Sequence, residues 1–141
     1  EEDQTGAVTP FAGEKMSLVT AVYKYKDIDD AIRIINANQD YSGSGHSCGI
    51  FSKDSAVIEE LALRTYTTRV VVNQPQSYTN TGNWISGMPF TSSLGCGTWG
   101  GNIASENIIL KHYLNNTWVI REIPNREPTD EELFAGFTPK N

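Results

Sequence analysis

DIDDAIRIINANQDYSGSGHSCGIFSKDSAVIEELALRTYTTRVVVN, residues 27–73, reads as helix, strand, helix and strand joined by short breaks. Asp27 stands where a helix cap is needed. Ile28, Ala31, Ile32 and Ile35, with Ala37 beyond them, follow the rhythm of one buried helical stripe. Ser42-Gly-Ser-Gly45 breaks that helix, and Cys48-Gly-Ile-Phe51 follows as a short buried strand. A second helix is expected from Asp54 to Thr65, with Ile58, Leu61 and Ala62 inward. Arg69-Val-Val-Val-Asn73 is apolar on both faces, as parallel strands tend to be.

Upstream, Ser17-Leu-Val-Thr-Ala-Val-Tyr-Lys-Tyr25 is rich in β-branched and aromatic residues and predicts a further strand. The whole is then β-α-β-α-β with short connections. That order predicts an α/β fold in three layers, helices flanking a parallel sheet with right-handed crossovers. Downstream, Gln74 to Gly101 has no clear period and is rich in Ser, Thr, Asn and Gly, the mark of a functional loop. A short helix is expected near Ser105 to Tyr113. Asn116-Thr-Trp-Val-Ile-Arg-Glu122 alternates like a half-buried strand with no local partner, so it is expected to complete a sheet elsewhere, including in another subunit.

The tail from Pro124 to Asn141 holds Pro124, Pro128 and Pro139, and predicts one helical turn, Thr129 to Phe134, with Thr129 as cap. Its apolar residues Leu133, Phe134 and Phe137 suggest that it docks. The opening Glu1-Glu2-Asp3-Gln4 has neither an initiator Met nor a leading strand, and reads as the interior of a longer protein. Residues 1–113 are expected to form one unit, and 114–141 a strand and tail.

The 141 residues are 38% hydrophobic and 20% charged, too balanced for disorder. Apolar runs are too short to form a transmembrane helix, and no signal peptide is apparent. A net charge of −6 argues against nucleic acid as a partner. Two cysteines do not make a disulfide scaffold, so a reduced, cytoplasmic setting is expected.

Several residues could carry chemistry. His46, in Gly43-Ser-Gly-His-Ser-Cys48, is either a general acid–base imidazole or a hydrogen-bonded turn histidine. Cys48, two residues on, is either a nucleophile or, as its place entering an apolar strand favours, a buried and inert thiol. Ser92-Ser-Leu-Gly-Cys-Gly-Thr-Trp-Gly-Gly-Asn102 is the most unusual stretch, with four glycines in seven residues. It matches neither a Walker loop nor GxGxxG. Cys96 within it is either reactive or packed. Glu14 alone would pass for a surface carboxylate. His46, His112, Cys48 and Cys96 lack ligand spacing, so no metal site is expected.

Glu14-Lys-Met-Ser-Leu-Val, Gly45-His-Ser-Cys-Gly-Ile, Arg69-Val-Val-Val-Asn-Gln-Pro and Leu94-Gly-Cys-Gly-Thr-Trp-Gly-Gly-Asn-Ile-Ala-Ser-Glu-Asn together resemble one family. They are similar to the C-terminal part of the CoA-acylating aldehyde dehydrogenases. The branch they resemble holds aldehyde–alcohol, succinate-semialdehyde and sulfoacetaldehyde dehydrogenases. The likeness spans about residues 12–123, and the Leu-Gly-Cys-Gly-x-Trp-Gly-Gly-Asn run is its specific element.

That resemblance implies a chemistry. A cysteine thiolate attacks a small aldehyde, hydride passes to NAD or NADP, and the acyl group moves to coenzyme A. By position, Glu14 matches the glutamate that holds the nicotinamide ribose, and Met16 the apolar residue beside it. His46 matches the histidine facing the active site. Gly95, Cys96 and Gly97 match the substrate end of the pocket. Glu14 and His46 are 46 − 14 = 32 residues apart, the span of a strand, a helix and a turn. Both are therefore expected at one end of adjacent parallel strands.

The resemblance also marks what these residues lack. In the family the nucleophile and the nucleotide-binding domain stand upstream of the Glu14 segment, and neither cysteine here aligns with the nucleophile. The chain is thus expected to be a partial catalytic domain with an oligomerisation strand, forming homo-oligomers and silent in isolation. A reading from another class is a stand-alone, self-associating interaction module from a truncated or shuffled gene.

Overall fold

A computed structural model describes residues 1–137. The expected tail residue Pro139 lies outside the described residues. The central unit follows the helix–strand–helix–strand order of the sequence. Helix α1 (Ile28–Ser42) starts at Asp27, whose side chain accepts from the Asp30 N–H at 2.9 Å. It ends at Gly43, whose N–H bonds the Gln39 carbonyl at 2.7 Å. Strand β1 (Cys48–Ile50) leads into α2 (Ser55–Arg64), where Asp54 accepts from Ala56 N–H. Both caps satisfy amides that have no partner within the helix.

Strand β2 (Val70–Val72) pairs in parallel with β1 in the register Cys48–Val70, Gly49–Val71, Ile50–Val72. Buried Ile32, Cys48 and Leu61 form the core, with Ile28, Ile35, Ile50 and Val70 packed against them. The fold is α/β with a small parallel sheet, as the order of elements requires.

The sheet is narrower than expected. Among the described residues it has two strands, and the segment expected as the first, Ser17–Tyr25, forms no strand. Leu18, Val19, Val22 and Tyr25 are exposed, and the Val22 carbonyl accepts from the Glu2 N–H at 3.0 Å. β-Propensity describes a fit to a pleated, half-buried surface, and no edge lies alongside to provide one. The same holds for Asn116–Glu122, which is fully exposed and forms no strand.

Two helix faces also differ from expectation. Ile34 is also buried on α1, and a single turn at Gly6–Val8 packs against the same helix, fixed by Gly6 N–H to Asn38 Oδ1 at 2.9 Å. On α2 the stripe runs from Val57 and Ile58 through Leu61 to buried Thr65, leaving Ala62 exposed. The helix expected near Ser105–Tyr113 is only a turn at Leu110–His112. Residues before it are drawn into an antiparallel bridge, Leu94 to Asn107, with Gly95 N–H bonding Glu106 and Ile108 N–H bonding Ser93. That bridge occupies the Ile108 N–H and the Glu106 carbonyl, groups a helix would use. Helix α3 (Gln76–Thr79) follows β2, and at the tail Thr129 caps α4 (Asp130–Leu133) as its sequence requires.

Candidate functional site

Two turns meet at one end of the sheet. The first is Gly45-His46-Ser47, entering β1. Gly45 has φ +100°, its N–H bonds the Tyr66 carbonyl at 2.7 Å, and its carbonyl accepts from Thr68. A Cβ at Gly45 would strike the Cys96 carbonyl and stand 2.8 Å from the Gly100 nitrogen. Only glycine allows both that φ and that approach. The second turn is Gly95-Cys96-Gly97, closed by Cys96 N–H to Asn102 Oδ1 at 2.8 Å. His46 and the glycine-rich run, separate in sequence, are thereby packed together.

A buried arginine joins them from beneath. Arg69, 7% exposed, opens the apolar segment of β2. Its Nη1 donates to the carbonyls of Gly95 (3.0 Å) and His46 (3.3 Å) and to Thr68 Oγ1. Its Nε and Nη2 both donate to Asn107 Oδ1. Asn107 is 1% exposed and passes its own N–H groups to the carbonyls of Asn80 and Pro89. Among the described residues no carboxylate pairs with Arg69, and burial pushes its guanidinium below the usual arginine value, opposed by the nearby Cys96 side chain.

His46 itself is exposed. Its Nδ1 lies 3.0 Å from Ser47 Oγ, which also contacts Gln76 Oε1 (2.9 Å) and Asn80 Nδ2 (2.8 Å). Cys48 is buried, its sulfur against Thr65 and Thr67 hydroxyls, whereas Cys96 is half-buried. Among the described residues no cluster of His, Cys, Asp and Glu could hold a metal, and no helix is long and apolar enough to cross a membrane.

Glu14 and Met16 stand elsewhere. The Glu14 N–H bonds Ser42 Oγ at the end of α1, and Met16, at φ +46°, is 88% exposed. No hydrogen bond links either one to the His46 turn. The expected shared strand end does not arise, because Ser17–Tyr25 forms no strand beside β1. The Glu14 carboxylate makes no hydrogen bond among the described residues, so it retains acceptors suited to ribose hydroxyls.

Arg69, Ser47 and Asn107 stand inside the family-like stretches but, like Gln76 and Asn80, receive no role from the sequence. The one signal is Arg69, a cation opening an otherwise apolar strand. An asparagine buried by contacts 27 and 38 residues away has no local signature.

The geometry defines an α/β segment in which a histidine turn and a glycine-rich turn share a buried arginine. The model of the aldehyde dehydrogenase family matches residues 9–113, and the chain belongs to that family. It is 44% identical over 127 residues to a sulfoacetaldehyde dehydrogenase of Acholeplasma, covering 90% of this chain and 26% of that protein. It is 42% identical to the acylating sulfoacetaldehyde dehydrogenase of Bilophila wadsworthia, covering 92% and 28%. The crystal structure of an acetylating aldehyde dehydrogenase from Geobacillus thermoglucosidasius aligns with a TM-score of 0.72 at 31% identity, covering 89% and 28%. The chain spans about a quarter of the length of the curated relatives it matches.

Proposed function

We propose that the chain is the C-terminal segment of an NAD(P)-dependent, CoA-acylating aldehyde dehydrogenase, which converts a small aldehyde to its acyl-CoA. The observation that carries this reading is the packing of the His46 turn on Gly95-Cys96-Gly97, in a chain similar to acylating enzymes over most of its length. His46 serves as the acid–base group of acyl transfer. Gly95, Cys96 and Gly97 line the aldehyde end of the pocket, the two glycines packing so close to Ala104 and Thr68 that a Cβ would clash. Glu14 accepts hydrogen bonds from the nicotinamide ribose, and Met16 lies against the ring. When bound, the nicotinamide cofactor supplies the hydride acceptor and coenzyme A the accepting thiol.

The nucleophilic cysteine belongs to the remainder of the enzyme, so the isolated chain does not turn over. The enzyme is a cytoplasmic homo-oligomer, supported by two free thiols and by the exposed apolar run at Trp118-Val-Ile120.

The test joins this chain to the upstream three quarters of the Bilophila relative. Acyl-CoA formation by the chimaera, reduced 10²–10⁴-fold by His46→Ala, is expected for a general acid–base group. Aldehyde-dependent NAD reduction by the isolated chain, abolished by Cys96→Ala or Cys48→Ala, would overturn the reading and make that cysteine the nucleophile.

A further inference from the structure

We propose that Ser47, clamped by Gln76 and Asn80, is a positioning residue that holds neutral His46 with its proton on Nδ1 and leaves Nε2 as the proton acceptor. The inference rests on the reading of His46 as the acid–base group and specifies which nitrogen acts.

Hydrogen counting carries the argument. A serine hydroxyl has one hydrogen to donate and two lone pairs to accept with. Ser47 Oγ has three neighbours in hydrogen-bond range: Gln76 Oε1 at 2.9 Å, Asn80 Nδ2 at 2.8 Å and His46 Nδ1 at 3.0 Å. Gln76 Oε1 only accepts, so it takes the hydroxyl hydrogen. Asn80 Nδ2 only donates, so it fills one lone pair. The remaining lone pair faces His46 Nδ1, which must carry a hydrogen to bond it.

Asn80 is well placed to hold this arrangement. It is buried, and its carbonyl is tied to the Asn107 side chain at 3.0 Å, hence to Arg69. The clamp therefore stands on the same buried network that joins the two turns. The tautomer of a histidine is set by the bond its other nitrogen makes. Here Nδ1–H is used up, and Nε2 keeps a free lone pair on an exposed ring with no protein partner among the described residues. In acyl transfer, Nε2 takes the proton of the attacking thiol. The S–H bond breaks, its electron pair stays on sulfur, and the imidazole becomes cationic. A free imidazole favours the opposite tautomer, so the clamp sets His46 up as a base before substrate arrives.

The tautomer is read directly from two-bond ¹H–¹⁵N spectra of the ¹⁵N-labelled chain at a pH where its imidazoles are neutral, His46 being assigned with His46→Gln. The unsubstituted chain is expected to show the Nδ1–H pattern. Ser47→Ala should shift His46 toward Nε2–H, and Ser47→Thr should restore Nδ1–H. Gln76→Leu, at an exposed position, frees the hydroxyl hydrogen and should also shift the tautomer, so a misfolded Ser47→Ala leaves the test intact. An Nε2–H pattern in the unsubstituted chain, or an Nδ1–H pattern unchanged in Gln76→Leu and in any folded Ser47→Ala, overturns the proposal. Neither result depends on turnover. An inactive chimaera with the expected tautomers would sink the enzyme reading and leave the clamp standing.

Discussion

Arg69 donates through both Nε (3.2 Å) and Nη2 (3.1 Å) to a single oxygen, Oδ1 of Asn107, 38 residues further along the chain. The two side chains are the most heavily bonded buried pair beneath the candidate site. They connect β2, the His46 turn, the glycine-rich turn, Asn80 and Pro89 through hydrogen bonds alone.

Asn107→Leu keeps the number and branching of side-chain heavy atoms but strands two guanidinium donors and two carbonyls. Each buried group left unpaired costs about 1–3 kcal/mol, more when charged. A loss of about 3 kcal/mol or more is therefore expected in urea denaturation. A loss below about 0.5 kcal/mol, the range of an ordinary surface substitution, would show that the network carries no weight.

Gly45 and Gly101 separate crowding from backbone strain. Both have positive φ, but a Cβ at Gly101 meets nothing within 4 Å, whereas one at Gly45 meets Gly100 and Cys96. Gly101→Ala should cost about 1–2 kcal/mol from the left-handed backbone alone. Gly45→Ala should add an overpacking cost of about 1–3 kcal/mol and raise the solvent reactivity of Cys96 as the turns part. Equal melting temperatures for the two variants would contradict the close approach.

Glu106 should report pH. Hydrogen bonding to Lys111, and then to His112, holds its carboxyl below the usual carboxylate range. A depressed folded value means that the contribution is present above the unfolded value of about 4.3 and is lost as pH falls through the lower folded value. Melting temperatures of the chain and of Glu106→Gln should differ at neutral pH and converge in acid. A constant gap across that range would show that the ion pairs contribute nothing.

The exposed run at Trp118-Val-Ile120 should drive association. Trp118 is 85% and Ile120 90% exposed, and an unpaired alternating segment seeks an edge. Sedimentation is expected to show dimers or larger species that Trp118→Lys with Ile120→Lys disperses. A clean monomer for the unsubstituted chain would remove this segment as an interface.

Local signals in the sequence determined the central unit. Asp27 and Asp54 as caps, the glycine break after Ser42, and the isoleucine stripe of α1 act within a few residues, so each is legible without the rest of the chain. Thr129 and its turn were legible for the same reason. Tertiary structure alone decided whether extended segments pair. Ser17–Tyr25 and Asn116–Glu122 have the composition of strands, but a strand exists only where another backbone presents donors and acceptors. The candidate site divides likewise. His46 and the glycine-rich run stand out by residue type, while the burial of Arg69, its bond to Asn107 and the clamp on Ser47 arise only when segments 20 to 40 residues apart are brought together. Helices and caps are built from near neighbours. Sheets and buried polar networks are built from distant ones, and only the folded chain brings those into contact.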